Sequence, residues 1–156
     1  MALVRILVDG YSLLHRWPQL APGRARHSAA AREELVRRLT LYQDAVGTPI
    51  TIFFDGRGPR PGTEGATANA TVEVLYSRTG QTADELIERA AYRLAPYGEV
   101  LAVTDDHAEQ DTVMSVGGLV SSCRNFVLNV ENTLTELTDD IKQYNRREGH
   151  RYRRRP

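Results

Sequence analysis

Cysteine, lysine and histidine are scarce in this 156-residue chain, which has one cysteine, one lysine and four histidines. Cys123 has no partner for an internal disulfide, and the histidines fall at no metal-ligand spacing. A disulfide scaffold, a zinc module and a secreted protein are therefore not expected. Long apolar runs are also missing, with none near the ~18 residues of a membrane span. The apolar opening from Met1 to Val8 is too short for a signal peptide and runs straight into Asp9. The expected compartment is the cytoplasm, with no membrane partner. No G-x-x-x-x-G-K-[ST] occurs, no G-x-G-x-x-G follows the first apolar run, and no G-x-S-x-G elbow is present. These absences argue against a P-loop nucleotidase, a dinucleotide-binding domain and an α/β-hydrolase. A phosphate-accepting receiver domain needs a lysine after its fifth strand, and Lys142 lies deep in the last predicted helix.

What is present is a 41% hydrophobic chain with 20 basic and 20 acidic residues. That suffices for one domain with a sizeable core. The zero net charge hides an asymmetry. Residues 146–156 carry six arginines and one glutamate, so residues 1–145 form a domain with a net charge of −5. The basic end, 146–156, is expected to be a flexible tail that favours a polyanionic partner.

Apolar runs at residues 3–8, 50–54, 72–76 and 99–103 predict strands, and Leu119-Val120 predicts a brief fifth. Helices are expected after Ser28 up to Gly47, from Thr82 to Leu94, from about Ala108, and from Ser121 or Ser122 onward. Phe126, Val130, Leu134, Leu137 and Ile141 would line one side of the last. Residues 55–70, rich in glycine, proline and arginine, read as a long mobile loop. Strands alternating with helices predict an α/β fold of three layers, with a parallel sheet covered on both faces.

In such a sheet the functional crevice lies beyond the carboxyl ends of the strands, where strand order reverses. Asp9, Asp55 and the Asp105-Asp106 pair end three predicted strands, and Asp84 opens a helix facing the same edge. Crowded carboxylates raise one another's pKa, and a divalent cation removes that penalty. Oxygen-only ligands suit Mg²⁺ or Mn²⁺. Each acid except Asp9 also has a ready structural role; Asp9 ends the first strand with no helix expected to follow at once for it to cap. Thr82-Ala83-Asp84-Glu85 fits a capping box, Asp106 to Glu109 has the same spacing, and Asp55-Gly56 suits a turn. The convergence of the acids carries the metal-site expectation. Arg57 and Arg60 on the loop, Arg24 and Arg26 before the first long helix, and the tail arginines would contact phosphates. Tyr11 and Trp17 flank the mouth, where each would either stack a base or pack in the core.

Val8-Asp9-Gly10-Tyr11-Ser12-Leu13-Leu14 followed by Trp17-Pro18-Gln19-Leu20 resembles the opening of the YacP-like NYN domains, members of the PIN-like nuclease superfamily. The resemblance continues through Phe54-Asp55, Thr82-Ala83-Asp84-Glu85, Val103-Thr104-Asp105-Asp106 and Glu109-Gln110. It implies a five-stranded sheet in the order 3-2-1-4-5. It also implies a catalytic and metal site at Asp9, Asp84 and Asp106, with Asp55 added more loosely. The implied activity is a Mg²⁺- or Mn²⁺-dependent endoribonuclease on single-stranded RNA, cutting messenger RNA on the ribosome in some members. The family usually has asparagine where this chain has Ser12, so Ser12 is the expected substitute for a catalytic side chain. Asp105 replaces a small residue, and Asp111 stands where an apolar one is usual. The alternatives are a non-catalytic RNA- or ribosome-binding module whose site has decayed at Ser12, and a metal-dependent phosphatase on small esters.

Overall fold

The computed structural model describes residues 3–56 and 71–153, with side chains through Gly149. The 55–70 loop, with Arg57 and Arg60, lies almost wholly outside the described residues.

Five strands form one sheet: β1 (Leu3–Asp9), β2 (Ile50–Phe54), β3 (Val72–Tyr76), β4 (Glu99–Val103) and β5 (Leu119–Ser121). Their order is β3-β2-β1-β4-β5, and every pairing is parallel. The helices are α1 (Gly10–His15), α2 (Ala29–Val46), α3 (Ala83–Leu94), α4 (His107–Ser115) and α5 (Cys123–Arg153). The expected strand order and α/β architecture are those observed.

Alternation along the strands sorts the core into two halves. Ile6, Val8, Ile52, Phe54 and Val103 face the layer that includes Leu35, Leu39, Phe126 and Val130 from α2 and α5. Leu7, Phe53, Val100 and Ala102 face the other layer, which includes Ile87 and Ala91 of α3 and Val113 of α4. Strands buried on both faces need continuous apolar runs, which is why β2 is buried at all five positions.

Local signals set the helix ends. Ser28 caps α2 by accepting the Ala31 amide at 3.2 Å, and Gly47 ends it at φ +80°, a left-handed conformation that favours glycine. Gly10 opens α1 directly above Phe54, and a Cβ there would overlap the Phe54 ring. Sequence periodicity did not reveal α1, which is only six residues long.

The last helix is buried over its first part, through Cys123, Phe126, Val127 and Val130. Farther along, Leu137 and Ile141 are exposed, so the predicted apolar stripe outruns the body it packs on. The helix continues unbroken through Arg153, well past residue 145. Among the described residues no helix is long and apolar enough to cross a membrane.

Candidate metal centre

In the order 3-2-1-4-5 the chain reverses direction across the sheet between β1 and β4. Val8 pairs with Val103 there, so the residues just beyond, Asp9 and Thr104, leave the sheet side by side. This is the switch point at which open parallel sheets build their sites.

Asp9 is buried and ends β1. Against the expectation that it has no helix to cap, it is the N-cap of α1, a helix too short to show a period in the sequence. The Ser12 hydroxyl donates to Asp9 Oδ2 at 2.9 Å, and the Ser12 amide donates to Oδ1 at 3.4 Å. Serine at this position thus holds the carboxylate directly. Burial pushes the Asp9 carboxyl up to about 6, with help from the charges of Asp84 and Asp55 and against the pull of the Ser12 hydrogen bonds.

Asp84, in the first turn of α3, is half-buried and faces the same point. Thr82 caps that helix by accepting the Glu85 amide at 3.2 Å, so Asp84 is not needed for the cap. Asp55 accepts the Ala83 amide at 2.6 Å, which ties the end of β2 to the start of α3. Asp55 therefore fixes the element that presents Asp84.

The third carboxylate of the cluster is Glu109. Ligand oxygens of Asp9, Asp84 and Glu109 all lie within 4.8 Å of one another, the one such group among the described residues. Glu109 is 1% exposed. Its Oε2 accepts the Thr104 hydroxyl at 2.8 Å, while Oε1 is buried with no donor. Burial, followed by a hydrogen bond to Asp84 that only a protonated carboxyl can donate, pushes the Glu109 carboxyl up to about 9. Two ionised carboxylates are both acceptors. Such a pair either shares a proton or shares a cation, and an all-oxygen set with one orphaned buried atom fits a divalent ion.

Asp106 has a different place from the one the resemblance implies. It is exposed and caps α4, its Oδ1 accepting the amides of Ala108 at 2.9 Å and Glu109 at 3.2 Å. The Asp106-to-Glu109 spacing reads as a capping box, yet Glu109 does not reach back to the Asp106 amide. Thr104 Oγ1 accepts that amide instead, at 3.1 Å, which leaves Glu109 free to turn into the site. The spacing was the available signal, and it admitted the wrong partner. Asp105 is also structural in its contacts. It accepts the Cys123 amide at 2.9 Å and pairs with Arg16 at 3.0 Å, joining α1 to the start of α5. Burial raises its carboxyl, but those donors outweigh it and hold the group below the usual carboxylate range. Cys123 is buried, and burial pushes its thiol up to about 12, so it is a core residue.

Trp17 is 1% exposed, with its indole N–H donating to Glu131 at 3.0 Å, so it packs in the core. Tyr11 is half-buried, its ring 4.9 Å from Phe54 and 4.8 Å from His27. Arg24 and Arg26 are exposed, and Arg26 lies 2.6 Å from His15 Nδ1.

The model of the YacP-like NYN domain matches residues 6–155, nearly the whole chain. The protein belongs to the YacP-like NYN family. The protein YacP of Bacillus subtilis (strain 168) is 33% identical over 127 residues, spanning 81% of this chain and 74% of that one. Two crystal structures of Rae1 (YacP) from Bacillus subtilis share the fold. One has a TM-score of 0.75 at 28% identity, over 90% of this chain and 82% of that one. The other has 0.76 at 26%, over 96% and 85%. The domain is accordingly nuclease-like, with a cluster of acidic side chains at the switch point of the NYN sheet.

Proposed function

We propose that this NYN protein is a Mg²⁺- or Mn²⁺-dependent endoribonuclease acting on single-stranded RNA. The observation that carries the reading is the Asp9–Asp84–Glu109 cluster, in which Asp9 and Glu109 are buried and Glu109 Oε1 has no donor. Keeping three carboxylates together in a desolvated crevice is costly unless a cation shares them. RNA as the substrate, and the ribosome as a place of action, follow from the family resemblance.

Asp9, Asp84 and Glu109 would hold the ion. When bound, it would lower the pKa of an attacking water and neutralise charge on the departing 3′ oxygen, leaving a 5′-phosphate. The remaining work belongs to the chain. Ser12 holds Asp9 with its hydroxyl and amide. Thr104 fixes one oxygen of Glu109 and leaves the other facing the cluster. Asp55 anchors α3 and with it Asp84. Asp106 organises the first turn of α4 and so supports Glu109 from the rim. Asp84 and Glu109 lie in the first turns of α3 and α4, where the positive end of the helix dipole offsets part of their negative charge. Arg24, Arg26 and the arginines of 146–156 would meet the RNA backbone, and a cytoplasmic enzyme is the expected setting.

The test is labelled single-stranded RNA incubated with the purified protein in Mg²⁺, in Mn²⁺ and in EDTA. The expected result is shorter products with 5′-phosphates under either metal and none in EDTA. Asp9→Asn should keep the fold and RNA binding while cutting stops. Binding without cutting, with ribosomes supplied as well, would leave a binding module. Turnover of an aryl phosphate with intact oligonucleotides would leave a phosphatase.

A further inference from the structure

Beside the metal centre lies a cavity of about 520 Å³ that the cluster does not use. It is lined by Asp55, Gly56 and the segment Tyr76–Gln81, at the carboxyl ends of β2 and β3. Its volume falls within the ~300–1,000 Å³ of small-ligand sites. Asp55 is the link between the two, since it lines the cavity and also accepts the amide of Ala83, next to Asp84.

The lining combines chemistry suited to a nucleotide. Tyr76 is half-buried and stacks on the fully buried Phe54, with centroids 5.6 Å apart and planes 29° from parallel. That packing fixes the ring as a rigid platform. Ser77 is buried and accepts the Gly56 amide at 3.0 Å, which sets the turn that shapes one wall. Arg78 is exposed, and Gln81 offers an amide with both donor and acceptor atoms. An aromatic face, a guanidinium and an amide bind a base and its phosphate without strict sequence preference.

We propose that this cavity is a subsite for the nucleotide flanking the scissile phosphate, with the base against Tyr76 and a backbone phosphate on Arg78. The inference rests on the nuclease reading and gives the strand a path across the β2–β3 edge into the cluster.

A short fluorescein-labelled oligoribonucleotide, followed by anisotropy on an Asp84→Asn background that cannot cut it, tests the subsite. Tyr76→Leu and Arg78→Ala should each weaken binding about tenfold, while Tyr76→Phe, which keeps the stack, stays within about twofold. Melting curves in EDTA establish that each variant remains as folded as the Asp84→Asn parent. Folded Tyr76→Leu and Arg78→Ala variants that bind as tightly as the parent would overturn the subsite, as would a parent that binds no RNA. Weakened binding in these variants, with an otherwise unaltered chain that never cuts RNA, keeps the subsite and removes the nuclease reading instead.

Discussion

Replacing Glu109 by glutamine separates the cost of burying its charge from the use the protein makes of it. The amide can still accept the Thr104 hydroxyl, and it gives Asp84 a donor where the carboxylate gave none. In the metal-free protein, burial and then the neighbouring carboxylates raise Asp9 from its ordinary 3.8 to about 6 and Glu109 from 4.5 to about 9. A raised acid holds protons in the folded state that the unfolded chain has released. The contribution of these groups to stability is therefore greatest below about pH 4 and falls as pH rises, through about 6 for Asp9 and towards 9 for Glu109. For Asp9 the rise to about 6 corresponds to about 3 kcal/mol lost by pH 7. Glutamine removes the Glu109 part of this loss. In EDTA at pH 8 the variant should be more stable than the parent by about 2 kcal/mol or more, about 4–8 °C in Tm for a domain of this size. At pH 4.5 the two should melt together. A divalent ion at a hundred times its Kd should stabilise the parent by about 2.7 kcal/mol, or about 5–10 °C. The variant should rise by less than about 2 °C at that concentration. Melts followed by circular dichroism at both pH values, in EDTA and in Mn²⁺, give all four comparisons. A variant that is less stable in EDTA at pH 8, or that gains as much from Mn²⁺ as the parent, would refute the shared-cation account of Glu109.

Other consequences concern the residues around the cluster. Ser12→Ala removes a hydrogen bond to a charged group, worth about 1.5–3 kcal/mol, so cutting near neutral pH should fall about 10–100-fold. Because that bond lowers the Asp9 carboxyl, the acid limb of the pH–rate profile should also move to higher pH; an unmoved limb would remove Ser12 from this role. Asp106→Ala should cost about 1 kcal/mol through the lost cap of α4, read by denaturant unfolding. Asp106→Asn, which can still cap, should keep the Mn²⁺-dependent rise in Tm that Glu109→Gln loses. Equal loss in both variants would make Asp106 a ligand on the same footing as Glu109.

Much of this architecture was legible because burial on two faces forces continuous apolar strands, and because Ser28, Gly47 and Thr82 punctuate helices by local chemistry. Strand order was carried by resemblance, since nothing in the spacing of strands says which are neighbours. Asp9 and Asp84 were legible as acids placed at one sheet edge. Glu109 was harder to find, because its spacing from Asp106 matches a capping box, and the Thr104 hydroxyl that breaks the box comes from the loop after β4. The short helix α1 has too few turns to show a period. The exposed half of α5 reads like core because its apolar stripe continues after the layer beneath it ends.

The most direct measurement is anomalous diffraction from a crystal of the protein soaked in Mn²⁺. One ion bonded to oxygens of Asp9, Asp84 and Glu109 is the predicted density. An ion seated on Asp106 and Asp55 without Glu109, or a cluster that stays free of metal when Mn²⁺ is in large excess, would contradict the shared-cation centre.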